Sequence, residues 1–190
     1  MFVYFQIRFR VLILVVFFIN SSCVKGVDFD QSTPVVITPI VEVGLAYINL
    51  IVPDFLNPLG GEISLVTDSF FLEELSEDFL NDYLVRADFN IEVINSLNKD
   101  FEIQIDFLDS SNSLQHSFIL YIDNSPSNSP ITSKHSEVFV DSKLEALKAS
   151  NKLDIKISML SNPTASVLTS GSIGSIVFKS TVVLYFEISE

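Results

Sequence analysis

The chain has no tryptophan, one cysteine and two histidines among its 190 residues. A single cysteine forms no intrachain disulfide and no thiolate cluster. His116 and His135 lack His-x-x-x-His spacing and fall short of the three protein ligands that catalytic zinc needs, so both read as packed or surface imidazoles. Without tryptophan the best platform for stacking sugars is gone. Tyr47, Tyr83, Tyr121 and Tyr185 are the substitutes, but Tyr47 and Tyr185 sit in strand-like runs where core or boundary placement is usual. Basic residues are scarce as well, 11 Lys and Arg against 24 Asp and Glu, a net charge of −13. That balance speaks against nucleic acid and against electrostatic docking on anionic lipid. Glycine is sparse, and "SGSIGS" at 170–175 matches neither a nucleophile elbow nor a phosphate cradle. It reads as a hairpin loop.

Where the lone cysteine stands is informative. The chain opens "MFVYFQIRFR", with Arg8 and Arg10 its only charges, and nine apolar residues follow from Val11 to Ile19. A positive start, a short apolar run and small residues before a cut site make a secretory signal peptide. The run is short of the roughly 20 apolar residues of a membrane-spanning helix, with an uncleaved anchor as the alternative. "INSSC" at 19–23 resembles the lipobox of bacterial lipoproteins, in the Ser-Cys form common among Bacteroidota-like bacteria. The resemblance covers about the first 25 residues. It implies a diacylglyceryl group on Cys23, cleavage before it and acylation of the new amine, so that the partner is the membrane, through a lipid anchor at Cys23. Two or more acyl chains hold stably where one is marginal.

The domain plan that follows is a lipoprotein signal peptide at 1–22, a lipidated Cys23 and tether at 23–34, and a single β-sandwich domain at 35–190. The 11 tether residues after Cys23 reach roughly 35–40 Å when fully extended. Loss of residues 1–22 removes two arginines and no acid, leaving nine basic and 24 acidic residues, a net charge of −15. The resemblance further implies the outer membrane, since Val24 rather than an acid follows the cysteine. It implies the periplasmic face, with surface exposure as the alternative, since only the spaced Asp28 and Asp30 stand where surface-exported lipoproteins carry an acidic run.

Beyond Pro34 the dominant signal is strict alternation. Val85, Ala87, Phe89, Ile91 and Val93 alternate with Arg86, Asp88, Asn90 and Glu92, and Phe101 to Phe107 repeats the pattern. Period two means strands with one wet face. "NSLNKD" between them reads as the turn of an antiparallel hairpin, with Leu114–Ile122 returning as a third meander strand. Ile40–Val52, Glu62–Thr67, Glu137–Val140 and Leu153–Met159 are further strands, and "NSPSNSPITS" is an exposed loop. "LEELSEDFLNDYL" is ambiguous between a helical turn and an acidic link. Ser142 and Glu145 have capping-box spacing and predict a short helix to about Ser150. "SIVFKSTVVLYFEI" closes the chain as one bent strand with a bulge near Lys179–Ser180.

Seven to nine strands with one short helix make an all-β protein, an antiparallel β-sandwich. Strand, Asn-containing turn and strand in "IEVINSLNKDFEIQIDFLD" resemble LEA14-type and immunoglobulin- or fibronectin-like sandwiches over about 20 residues, with no functional residue implied.

Catalytic candidates are thin. Glu73, Glu74, Glu77 and Asp78 read as a solvated acidic segment, and Asp28 and Asp30 do not open a calcium loop, since Thr33 stands where that loop needs glycine. No catalytic residue, cofactor or metal is expected. The expected function is a non-enzymatic interaction or structural module of the cell envelope with a protein partner. The alternative is an accessory lipoprotein that binds glycan or another ligand in nutrient capture.

Overall fold

A computed structural model of the protein describes residues 36–72, 78–161 and 167–189. The signal peptide, Cys23 and the tether lie outside them, as do Glu73, Glu74 and Glu77.

The strands are β1 (Val36–Ile37), β2 (Ile40–Ile51), β3 (Leu65–Phe71), β4 (Leu84–Asn95), β5 (Phe101–Leu108), β6 (Leu114–Ile122), β7 (Ile131–Phe139), β8 (Lys152–Met159), β9 (Ser175–Phe186) and β10 (Ile188–Ser189). Two helices, α1 (Asp78–Tyr83) and α2 (Asp141–Lys148), join them, and Val52–Phe55 forms a 3-10 turn. Eight strands build two four-stranded antiparallel sheets, in the orders β2-β9-β4-β7 and β3-β8-β5-β6, while β1 and β10 pair separately. The expected antiparallel β-sandwich is the architecture observed. Its connectivity differs from an immunoglobulin or fibronectin sandwich. Each connection except β5–β6 passes from one sheet to the other, the order of a jelly roll.

Alternation builds the core. Phe101, Ile103, Ile105 and Phe107 of β5 and Leu153, Ile155 and Ile157 of β8 face Ala87, Phe89, Ile91 and Val93 of β4 and Ile176, Phe178, Val182 and Leu184 of β9. Phe89 meets Phe107 edge-on at 5.5 Å between ring centroids, locking the sheets together. Burying such a side chain contributes about 1.5–3 kcal/mol.

β4 and β5 do not form the expected hairpin. β4 pairs with β9 and β7, and β5 with β8 and β6. The reason lies in the link itself, where Asn95, Leu97 and Lys99 stay buried on the inward parity of both strands. Residues 96–100 therefore arch over the end of the core and change sheets. Of the expected meander, the β5–β6 hairpin stands.

The proline-rich loop is shorter than its sequence suggests, because β7 begins at Ile131, and Ser125 inside it is buried. The amide of Ser125 donates to Leu97 O at 2.8 Å, tying the loop to the arch. The expected bulge sits at the predicted level but on the partner strand. Gly44 pairs with Thr181 and Ala46 with Ser180, leaving Leu45 as the extra residue of β2. Ala46 N–H donates to Ser180 Oγ at 3.1 Å, which accounts for a buried serine in β9. Helix α2 forms close to where it was expected, with Leu144 and Leu147 buried. Its N-cap is Val140 without a side-chain cap, so the Ser142–Glu145 spacing does not act as a capping box.

Candidate functional site

The two sheets leave two long sides, one between edge strands β6 and β7 and the other between β2 and β3. They are chemically unlike.

Side chains close the β6–β7 side. Glu137 of β7 is the hub: His116 Nε2 of β6 lies 3.0 Å from its Oε1, and Lys143 Nζ of α2 donates to the same oxygen at 2.7 Å. His116, near an edge as expected, packs on Phe139 and Phe107 at 5.1 and 6.0 Å. His135 lies inside β7, stacked on Phe118 of β6 at 5.4 Å. Its Nε2 is 3.5 Å from Glu137 Oε2 without a hydrogen bond. Burial raises the Glu137 carboxyl, but the hydrogen bonds and charges of Lys143 and His116 outweigh it and hold the group below the ordinary glutamate value. A cleft of about 350 Å³ opens further along this side, floored by Ile91, Val93, Leu120 and Ile122. Among the described residues no group of three His, Cys, Asp or Glu is arranged to hold a metal ion.

On the outer face of the β3-β8-β5-β6 sheet, Asp106 and Asp154 stand directly opposite each other. Two like charges in register destabilise a sheet unless each is neutralised. Asp106 accepts from Ser117 Oγ at 2.5 Å, Gln104 Nε2 at 2.8 Å and Lys156 Nζ at 2.7 Å. Asp154 accepts from Ser69 Oγ at 2.7 Å and pairs with Lys152 at 3.2 Å. Burial raises the Asp106 carboxyl, yet Lys156, Ser117 and Gln104 bring it below the usual aspartate range. A general acid needs the opposite shift. The pair is held by its neighbours as a structural network, and alternation alone placed Asp106 on a wet face where it is in fact only 4% exposed. The cover comes from Lys156 and Ser117 on adjacent strands, which only the strand order brings together.

The tyrosines do not share one surface. Tyr47 and Tyr185 lie on β2 and β9, Tyr121 on β6 of the other sheet, and Tyr83 ends α1. Tyr47, for which a core or boundary position was expected, is 63% exposed. Arg86 sits 5.1 Å over the Tyr185 ring and pairs with Asp88, whose Oδ2 accepts from Tyr185 Oη. The hydrogen bond and charge of Asp88 raise the Tyr185 phenol.

At the far end the arch is held by buried polar groups. Asn95 Nδ2 donates to Lys99 O and Asp123 O, both at 2.9 Å, and its Oδ1 accepts from Leu97 N–H at 2.9 Å. Lys99, with a side chain 6% exposed, pairs at 2.8 Å with Glu62, which also accepts from Leu168 N–H. The "SGSIGS" loop closes on this arch: a Cβ on Gly174 would lie 2.6 Å from Ser96 O, and φ there is +126°.

The β2–β3 side is different. Among the described residues, 19 large apolar side chains are exposed, and ten of them fall between Val36 and Phe71. Tyr47, Ile51, Leu65 and Phe71 point outward here, while Val43, Leu45, Val66 and Phe70 of the inward rows are only half-buried. β2 carries one charge in its 12 residues, Glu42. Composition could not reveal this concentration, because it depends on which strands end up at the edges.

No family model and no curated protein matches the chain. Several solved structures match the chain at low identity. A protein of Parabacteroides distasonis described as secreted is 12% identical, with a TM-score of 0.47 over 63% of this chain and 37% of its own. The infectious bursal disease virus VP2 subviral particle is 10% identical, with a TM-score of 0.38 over 80% of this chain and 38% of its own. Tailspike protein 4 of Bacteriophage CBA120, in its enzymatically active domain, is 12% identical, with a TM-score of 0.37 over 80% and 19%. The chain spans less than two fifths of each of these proteins.

Proposed function

We propose that the protein is a lipid-anchored interaction module of the cell envelope, held by acylated Cys23 on the outer membrane and facing the periplasm. It binds a protein partner and performs no catalysis. The observation that supports this reading most is the contrast between the two sides of the sandwich. The carboxylates and histidines of the β6–β7 side and of the Asp106 network serve one another, whereas apolar side chains collect along β2 and β3. Exposed apolar side chains concentrated on two neighbouring edge strands suit a contact site. The jelly roll supplies a rigid frame behind it.

Detergent phase partitioning with mass spectrometry of the mature N-terminus tests the anchor. Wild type is expected in the detergent phase with acyl chains on Cys23, and Cys23→Ser in the aqueous phase. If both are soluble and cut elsewhere, the lipoprotein reading fails.

A further inference from the structure

We infer that the end of the sandwich reached by the tether rests on the lipid surface itself, through a patch of apolar side chains, and that this lipid is zwitterionic. The inference goes beyond the protein partner of the β2–β3 side and rests on the reading of Cys23 as the anchor.

Six of the 19 exposed large apolar side chains among the described residues belong to this end: Val36, Ile37, Ile40, Val41, Phe79 and Val85. Chain order scatters them, but all six adjoin residues 184–189. Val36 and Ile37 pair with Ser189 and Ile188, and Ile40 and Val41 with Tyr185 and Leu184. Val85 is the extra residue of β4 between Leu84, opposite Phe186, and Arg86, opposite Tyr185. The Phe79 ring of α1 lies 5.7 Å from that of Phe186. Exposure runs from 44% at Val41 to 64% at Ile40, and apolar side chains gathered like this mark a protein or membrane contact.

Chain length selects the membrane. Val36 stands 13 positions after Cys23, so even a fully extended tether keeps the patch within roughly 45 Å of the acylated residue. β2 then carries the chain about 40 Å further, to the arch end. The patch is thus the part of the domain that the tether delivers to lipid. Tethering makes such a contact effectively intramolecular, so modest apolar burial suffices. Charge selects the class of lipid. The exposed acids of these segments are Glu42, Asp82 and Glu187, and the one base, Arg86, is paired with Asp88. Acids at the rim are repelled by anionic headgroups and tolerated by zwitterionic ones. The other six exposed apolar side chains between Val36 and Phe71 lie further along the chain and are left to the protein partner.

The chain has no tryptophan, so one introduced residue reports alone. The test places the full protein, isolated from cells, on phosphatidylcholine vesicles with brominated acyl chains, as Ile40→Trp or, for control, Tyr121→Trp on β6. Mass spectrometry of the same samples records whether Cys23 is acylated. The Ile40→Trp fluorescence should shift to the blue and be quenched, and that of Tyr121→Trp should do neither. Adding Ile37→Asp and Val85→Asp to Ile40→Trp should keep the circular dichroism spectrum and lower the ratio of quenched to unquenched protein at least about tenfold. Ile40→Trp that stays unquenched overturns the proposal, and if Cys23 is acylated in that sample the anchor reading survives it. Quenching that the two aspartates leave unchanged overturns it as well. So does Ile40→Trp emission that is blue-shifted without vesicles and unaffected by brominated lipid, since protein then covers the patch. Quenching with Cys23 unmodified upholds the lipid contact and refutes the anchor.

Discussion

The Glu62–Lys99 pair gives the sharpest test of how the far end of the sandwich is held. Lys99 is drawn inward by the arch, and its ammonium, 6% exposed, has Glu62 at 2.8 Å. Replacing Glu62 by Gln keeps the shape and an amide oxygen where Oε1 accepts from Leu168 N–H and Lys99, but removes the counter-charge of the buried ammonium. Removing one partner of a buried pair costs about 3–5 kcal/mol. Because Glu62 is itself 26% exposed, water screens part of the interaction, and the loss should be about 2–3 kcal/mol. For a domain of this size that is about 5–10 °C in Tm. Adding Lys99→Met removes the stranded charge and should restore at least about half of the loss, since an apolar residue in place of a buried ion is often neutral or stabilising. Urea unfolding of the purified protein, with thermal scans alongside, reads both numbers, and the m-value should not change. A Glu62→Gln variant within about 0.5 kcal/mol of wild type would refute the reasoning. A double variant no more stable than the single one would show that the charge was not the cause.

Other consequences follow from the same contacts. Gly174→Ala places a Cβ against Ser96 O at a positive φ and should cost about 2–3 kcal/mol, whereas Gly44→Ala, with open space around it, should cost far less; equal midpoints in urea would contradict this. Asn95→Leu orphans the amide of Leu97 and two carbonyls and should destabilise by about 2–4 kcal/mol, read by the same unfolding curves. Glu137 and Asp106 have lowered folded values, so their contributions are complete above their unfolded values and fade as pH falls through the lower folded ones. Stability should therefore drop below about pH 4, and the drop should flatten in Glu137→Gln and Asp106→Asn; variants that keep the full wild-type drop would count against the assignment.

Much of this fold is legible in the sequence, and the misses share a cause. Period-two alternation in 85–93 and 101–107 states that one face of each strand is buried. It does not name the neighbouring strand, so β4 and β5 read as a hairpin although they belong to opposite sheets. The sign that they part was present in the unbroken inward parity of Asn95, Leu97 and Lys99, but an asparagine and a lysine do not look like core residues until their partners are seen. The bulge shows the same limit from the other side. Ser180 marks the level, whereas the extra residue is Leu45 of β2, whose neighbour Ala46 lies 134 positions from Ser180. Site residues were harder still. Asp106 is buried by side chains from two neighbouring strands, and the apolar β2–β3 side exists only because these strands end their sheets.

The central claim is that the β2–β3 side is where this protein meets its partners. Photo-cross-linking in intact cells tests it most directly, with the reactive residue placed in turn at Tyr47, Leu65, Tyr121 and Thr132. Positions 47 and 65 should give discrete cross-linked species, while 121 and 132, on the β6–β7 side, should give none. Cross-links confined to positions 121 and 132 would contradict the account and move the working surface to the opposite side of the sandwich.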